Sequence, residues 1–105
     1  MSELWEILVP KIFNNGVEVP VSHHHAWDEK VGEIAGGLTI LKPATGIWTN
    51  PAGEIFKEAM IPVRIACTEK QIRIIINFTI IHYNQQAVMA YRISGYVILK
   101  QRDSP

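Results

Sequence analysis

The chain has 105 residues, room for one domain and one core, since a chain of this size buries only about 65% of the surface it exposes unfolded. Ten Lys and Arg balance ten Asp and Glu with no basic run, so no net field draws it to nucleic acid or to an anionic membrane. Hydrophobic residues make up 48%, more apolar surface than one small core absorbs, and the expected outlet is a homo-oligomer.

The opening MSELWEILVPK lacks the basic and long apolar regions of a secretion signal. The longest apolar stretch, around Ile74, is broken by Asn77 and His82, short of the roughly 20 residues a membrane crossing needs. A single cysteine, Cys67, allows no internal disulfide and suits a buried strand in a reducing compartment. The expectation is a cytoplasmic protein without a membrane partner.

In chain order, Leu4 to Ile12 is rich in β-formers, and Pro10 argues for a strand end, giving a first strand over 3–9. Asn14-Asn15-Gly16 is turn chemistry, followed by an extended Val17 to Val21 that returns along strand one as a short hairpin arm. Ser22 is the expected N-cap of a helix over 23–35. Trp27, Val31, Ile34 and Ala35 share one face of it, and Gly36-Gly37 stops it. Leu38 to Leu41 reads as a strand ending before Pro43. Thr45-Gly46 and Asn50-Pro51-Ala52-Gly53 are two turn signals around Ile47-Trp48-Thr49, an arm with its own short hairpin. A strand then runs from Ile55 to Cys67 with Ile61, Val63, Ile65 and Cys67 on one face and Met60, Pro62, Arg64 and Ala66 on the other.

Thr68 and Gln71 have the spacing of a capping box. It assigns the β-branched IRIIINFTII to a helix over 69–85, against its strand propensity. Ile72, Ile75, Ile76, Thr79 and Tyr83 form one stripe, and Ile74, Phe78 and Ile81 a second, so two packing partners are expected. Ala87 to Ile93 is the last strand, bent at Ser94-Gly95 and continued by Tyr96 to Lys100; residues 101–105 are a polar tail expected to fray. The order β-α-β-β-α-β is the ferredoxin-like α+β plan in one domain over 1–105, a four-stranded antiparallel sheet with both helices on one face. The other face then lacks cover unless the Trp48 arm or a second subunit supplies it.

Four pieces recur in a pattern: Gly37-Leu38-Thr39, Gly46-Ile47-Trp48, Gly53-Glu54-Ile55-Phe56-Lys57-Glu58, and Tyr83-Asn84-Gln85-Gln86-Ala87-Val88. Together they resemble a bacterial domain-of-unknown-function family of short proteins over roughly residues 36–90. The resemblance implies a fold, supports a helix at 69–85, and supplies no activity.

Three constellations carry candidate chemistry. His23-His24-His25 cannot all face one metal from a helix, but His24 with Asp28, or His25 with Glu29, offers two ligands on one face, with His82 or Glu33 as a third. The competing account is a solvated first turn with His24 beside Trp27. His82 ends the second helix, where a cation suits the dipole and Asn84, Gln85 or Gln86 cap the carbonyls, or where the imidazole serves as base or ligand. Arg64 and Arg92 lie on strands, either paired with Glu6 and Glu58 across the sheet or free to bind a phosphate or carboxylate beside Trp48 and Tyr91. The leading expectation is a homo-oligomer holding a small polar or anionic molecule at a subunit interface through Arg64, Arg92, Trp48 and His82. An enzyme or metal-dependent protein using His24, His25 or His82 with carboxylates, and a purely structural oligomer, are the alternatives. No cofactor is identified.

Overall fold

Ile55–Cys67 forms one 13-residue strand, about 43 Å at 3.3 Å per residue, and it organises the sheet. In the computed structural model, which describes residues 2–102, the elements run β1 (Glu3–Pro10), α1 (Val21–Ala35), β2 (Thr39–Ile40), β3 (Ala44–Thr49), β4 (Ile55–Cys67), α2 (Glu69–His82) and β5 (Ala90–Ser94). The C-terminal half of β4 pairs with β1, the N-terminal half with β3, and all pairings are antiparallel. The path β2-β4-β1-β5 is the ferredoxin-like order, joined by β3 as a fifth strand. The molecule is therefore long, 59 Å against 29 and 23 Å, because the β3–β4 hairpin projects beyond the helices.

The expected alternation decides which side is core. Ile7 and Val9 of β1 and Val63, Ile65 and Cys67 of β4 are buried, and together with Trp27 and Val31 of α1 and Ile72 and Ile75 of α2 they form one apolar cluster. Opposite parity places Leu4, Glu6 and Leu8 with Pro62, Arg64 and Ala66, register partners across β1 and β4, on a face that carries no helix. Burial pushes the Cys67 thiol up to about 11, which leaves it a protonated, apolar core residue.

Both helices sit on the core side through their apolar faces, and their caps and one buried bond fix their ends and mutual packing. α1 begins at Val21, not after a Ser22 cap. Pro20 is the N-cap, with no side-chain cap bond, and its carbonyl accepts from the His23 and His24 amides at 3.0 and 3.3 Å. Proline's fixed φ already suits that position, so Ser22 falls inside the first turn. Gly36, at φ 88°, closes the helix. α2 starts in the expected capping box, Thr68 Oγ1 accepting from the Gln71 amide, and the side chain of Gln71 also donates to the Ile34 carbonyl at the end of α1. Midway, the Trp27 indole N–H donates to Thr79 Oγ1 at 2.9 Å, and the Thr79 hydroxyl donates to the Ile75 carbonyl at 2.6 Å. α2 ends at His82, three residues short of the expected 85, as Asn84 takes a left-handed φ of 52°. The backbone amides of Asn84 and Gln85 close onto the Ile81 and Ile80 carbonyls.

Three further expectations are corrected. Thr45-Gly46 does not turn the chain but lies within β3; a Cβ on Gly46 would stand 2.5 Å from Met60 Cε, so glycine there lets Met60 close over the strand. Only Asn50–Gly53 turns, with Asn50 Oδ1 accepting from the Ala52 and Glu54 amides. The last strand spans Ala90–Ser94 rather than 87–93 with a continuation to 100. Ser94 pairs with Leu4, next to the start of β1, so the partner runs out. Tyr96 to Lys100 carries no strand, leaving Tyr96, Ile98 and Leu99 exposed. Of the polar tail, residues 103–105 lie outside the described residues. No helix among the described residues is long and apolar enough to cross a membrane.

Replacing Thr79 by Val keeps its shape but strands the buried Trp27 N–H, a loss of about 1–3 kcal/mol. The urea midpoint should fall with the slope unchanged, and Thr79→Ser should recover much of it. Equal stability of the Val variant would show that the bond holds nothing.

Candidate functional site

The helix-free face carries one polar cluster, and its register was legible. Glu6 of β1 stands opposite Arg64 of β4 and opposite Tyr91 of β5. Arg64 Nε donates to Glu6 Oε1 at 3.0 Å, as the pairing expectation had it, and the Tyr91 hydroxyl donates a short bond to Glu6 Oε2. Both carboxylate oxygens are taken, which is how Glu6 tolerates being only 8% exposed. The Tyr91 bond holds the Glu6 carboxyl below its ordinary value of 4.5, opposed by burial and aided by Arg64. The same bond raises Tyr91. Arg64 is used through Nε alone, and its two terminal nitrogens make no hydrogen bond or ion pair among the described residues. Half-buried Leu4, Leu8, Pro62 and Met60 surround the cluster, and Tyr91 and Ile93 are 40% and 42% exposed.

The structure does not gather Arg64, Arg92, Trp48 and His82 within one chain. Arg92 stands opposite Trp5, the residue beside Glu6 on β1, so the two guanidinium groups leave opposite faces of the sheet. Arg92 pairs with Glu3 at 2.8 Å, not with Glu58, which lies on the arm opposite Gly46. Trp48 stacks on Phe56 across the hairpin, ring centroids 4.5 Å apart. Phe56 shares the parity of Arg64 on β4, eight residues away, or roughly 26 Å along the strand. The arm exposes Ile47, Trp48, Ile55 and Phe56.

His82 belongs to the joint between the helices. Its ring stacks on His23 at 3.9 Å and on Phe78. Its Nε2 meets the His23 carbonyl at 2.8 Å, while His23 Nε2 meets the His82 carbonyl at 2.6 Å. Carbonyls only accept, so both rings carry hydrogen on Nε2 and donate. This reciprocal clasp ties the first turn of α1 to the last turn of α2.

The metal candidates resolve differently. His24, His25 and Asp28 do share a rim, that of a cleft of about 190 Å³ between α1 and the sheet. Among the described residues, however, no group of three or more His, Cys, Asp or Glu side chains could hold a metal. His82 is committed to the clasp, and Glu33 faces Lys30 at 3.8 Å. At the cleft, His24 Nδ1 and the buried Tyr83 hydroxyl share a hydrogen bond of 2.7 Å. Sequence reasoning placed Tyr83 on the apolar stripe but missed this bond and the clasp, both of which join residues 59 apart.

Glu6 generates a pH signature. Its lowered folded value contributes stability that is fully present above 4.5 and lost as the pH falls through that lower value. Denaturant midpoints measured across this window should decline less for Glu6→Gln than for the unaltered protein. Parallel profiles would show that the carboxylate is not held by Tyr91 and Arg64.

No family model matches the chain, and no curated protein matches it. Solved structures do. The periplasmic divalent cation tolerance protein CutA from Archaeoglobus fulgidus aligns at a TM-score of 0.69 and 12% identity, over 95% of this chain and 89% of that one. The divalent cation tolerance protein CutA1 from Thermus thermophilus aligns at 0.64 and 15%, over 92% and 88%. A phage SAM lyase in complex with S-methyl-5'-thioadenosine aligns at 0.64 and 11%, over 90% of each chain. At such identities the likeness establishes the fold: the chain is a small ferredoxin-like α+β protein similar in plan to CutA.

Proposed function

We propose that the protein works in the cytoplasm as a homo-oligomer that holds a small anionic molecule where the arm of one copy meets the helix-free sheet face of another. The observation that carries this reading is Arg64. Its Nε is fixed by a buried carboxylate, its terminal nitrogens have no partner among the described residues, and it rises from apolar surface that no helix covers. A guanidinium so oriented is preorganised for bidentate contact with a carboxylate or phosphate. The Trp48–Phe56 stack shares its face but lies roughly 26 Å away along β4, so a second subunit's arm is the means of adding an aromatic lid. Arg92 and His82 have other partners and drop out of the leading role. The plan admits a small-molecule site, since the phage SAM lyase that shares it holds S-methyl-5'-thioadenosine. Kinship with the short bacterial proteins named above is part of the same proposal.

Native mass spectrometry of untreated protein tests both halves together. We expect a multiple of the 11.9 kDa subunit with a retained small anion. Arg64→Ala should lose the anion and keep the subunit count. Replacing Trp48 and Phe56 together by Ala should weaken association by about 2 kcal/mol or more. A monomer, or an Arg64→Ala protein that still retains the anion, would refute the assignment.

A further inference from the structure

On the helix side of the sheet lies a cleft, on the face opposite Arg64. Its floor is apolar, with Val9, Ile61 and Val63 beneath and the edge of Trp27 beside. Asp28 stands on its rim, half-buried, and makes no hydrogen bond or ion pair among the described residues. No Lys or Arg lines the cleft, and only the His25 and His24 imidazoles stand near enough to answer its charge in part. Burial pushes His24 down and Tyr83 up, so the hydrogen-bonded pair is a neutral imidazole on a neutral phenol. Burial also pushes Asp28 up, opposed by His25 and His24. A carboxylate drawn partly out of water without a cation is a cost that a positively charged guest would offset.

We propose that this cleft binds a small organic ammonium, with the apolar stem of the guest on the Val9, Ile61 and Val63 floor and the charged head on Asp28. An inorganic cation is the poorer fit: His24 Nδ1 is engaged by the Tyr83 hydroxyl, and among the described residues no group of three or more His, Cys, Asp or Glu side chains could hold a metal. The His24–Tyr83 bond suits a nitrogen donor: if Nδ1–H donates to the phenol oxygen, His24 Nε2 becomes an acceptor. A volume of about 190 Å³ lies below the roughly 300 Å³ at which drug-sized pockets begin, which limits the guest to a single ring or a short chain.

The probe is benzylammonium titrated into the full-length protein, followed by calorimetry and amide NMR, with benzyl alcohol as the uncharged analogue. The expected result is saturable binding of the ammonium that shifts the amides of α1 around Asp28, with the alcohol about tenfold weaker or worse. Asp28→Asn should lower ammonium affinity to that of the alcohol, whereas Arg64→Ala should leave it unchanged. No saturable binding, equal affinity for the alcohol, or an Asp28→Asn protein that binds the ammonium undiminished would each overturn the proposal. If Asp28→Asn does not fold, the comparison of the two probes on the unaltered protein decides alone.

Discussion

The burial of Ile7, Val9, Val63, Ile65 and Cys67 under two helices sets the rest of the structure. Side chains of a strand alternate between faces, so committing one parity of β1 and β4 to this core commits the other parity to the opposite side. That side carries Leu4, Leu8 and Pro62 around Glu6 and Arg64. A one-residue slip of β1 against β4 would invert both faces at once. The Glu6–Arg64 pair is readable in this light: it satisfies a carboxylate in the observed register, and so marks that register on the face that no helix covers.

The helices are bonded to one another as well as packed on the sheet. The Trp27–Thr79 bond, the Gln71–Ile34 bond and the reciprocal His23–His82 contacts tie the middle and both ends of the α1–α2 pair. Each satisfies a polar group that would otherwise be costly next to the core. The same arrangement places Tyr83 where it meets His24, and so builds the cleft as a by-product of helix packing. The arm is the opposite case. Beyond Ala59 no helix backs β4, and Ile47, Ile55, Trp48 and Phe56 face solvent within one chain. An exposed apolar hairpin attached to an uncovered sheet face is the surface that the proposed assembly would bury.

Much of this was legible in the sequence, for identifiable reasons. The bounds of β4 followed from the turn signal ending at Gly53, the Thr68 cap, and the alternation of Ile61, Val63, Ile65 and Cys67 between them. The helix at Glu69–His82 followed from the capping box despite its isoleucines. The Glu6–Arg64 pair followed from neighbouring strands of opposite charge. What escaped depended on partners rather than on local chemistry. β5 stops because β1 starts at Glu3, and nothing in Tyr96 to Lys100 encodes that. Arg92 lies on the other face because Tyr91, not Arg92, stands opposite Glu6 while Arg92 stands opposite Trp5, so a four-residue site spanning both arginines required a register the sequence did not reveal. Pro20 displaced Ser22 as cap because a fixed φ needs no hydroxyl. The histidine clasp and the His24–Tyr83 bond join helix ends that only the packing of α1 on α2 brings together.

The proposed assembly covers the helix-free face and the projecting arm with another copy of the same chain. Sedimentation velocity over a dilution series into the low micromolar range reads this directly. The expected result is a species heavier than the 11.9 kDa chain that persists on dilution and dissociates when the arm's Trp48 and Phe56 are removed. A single sedimenting species of one chain's mass at every concentration would contradict it.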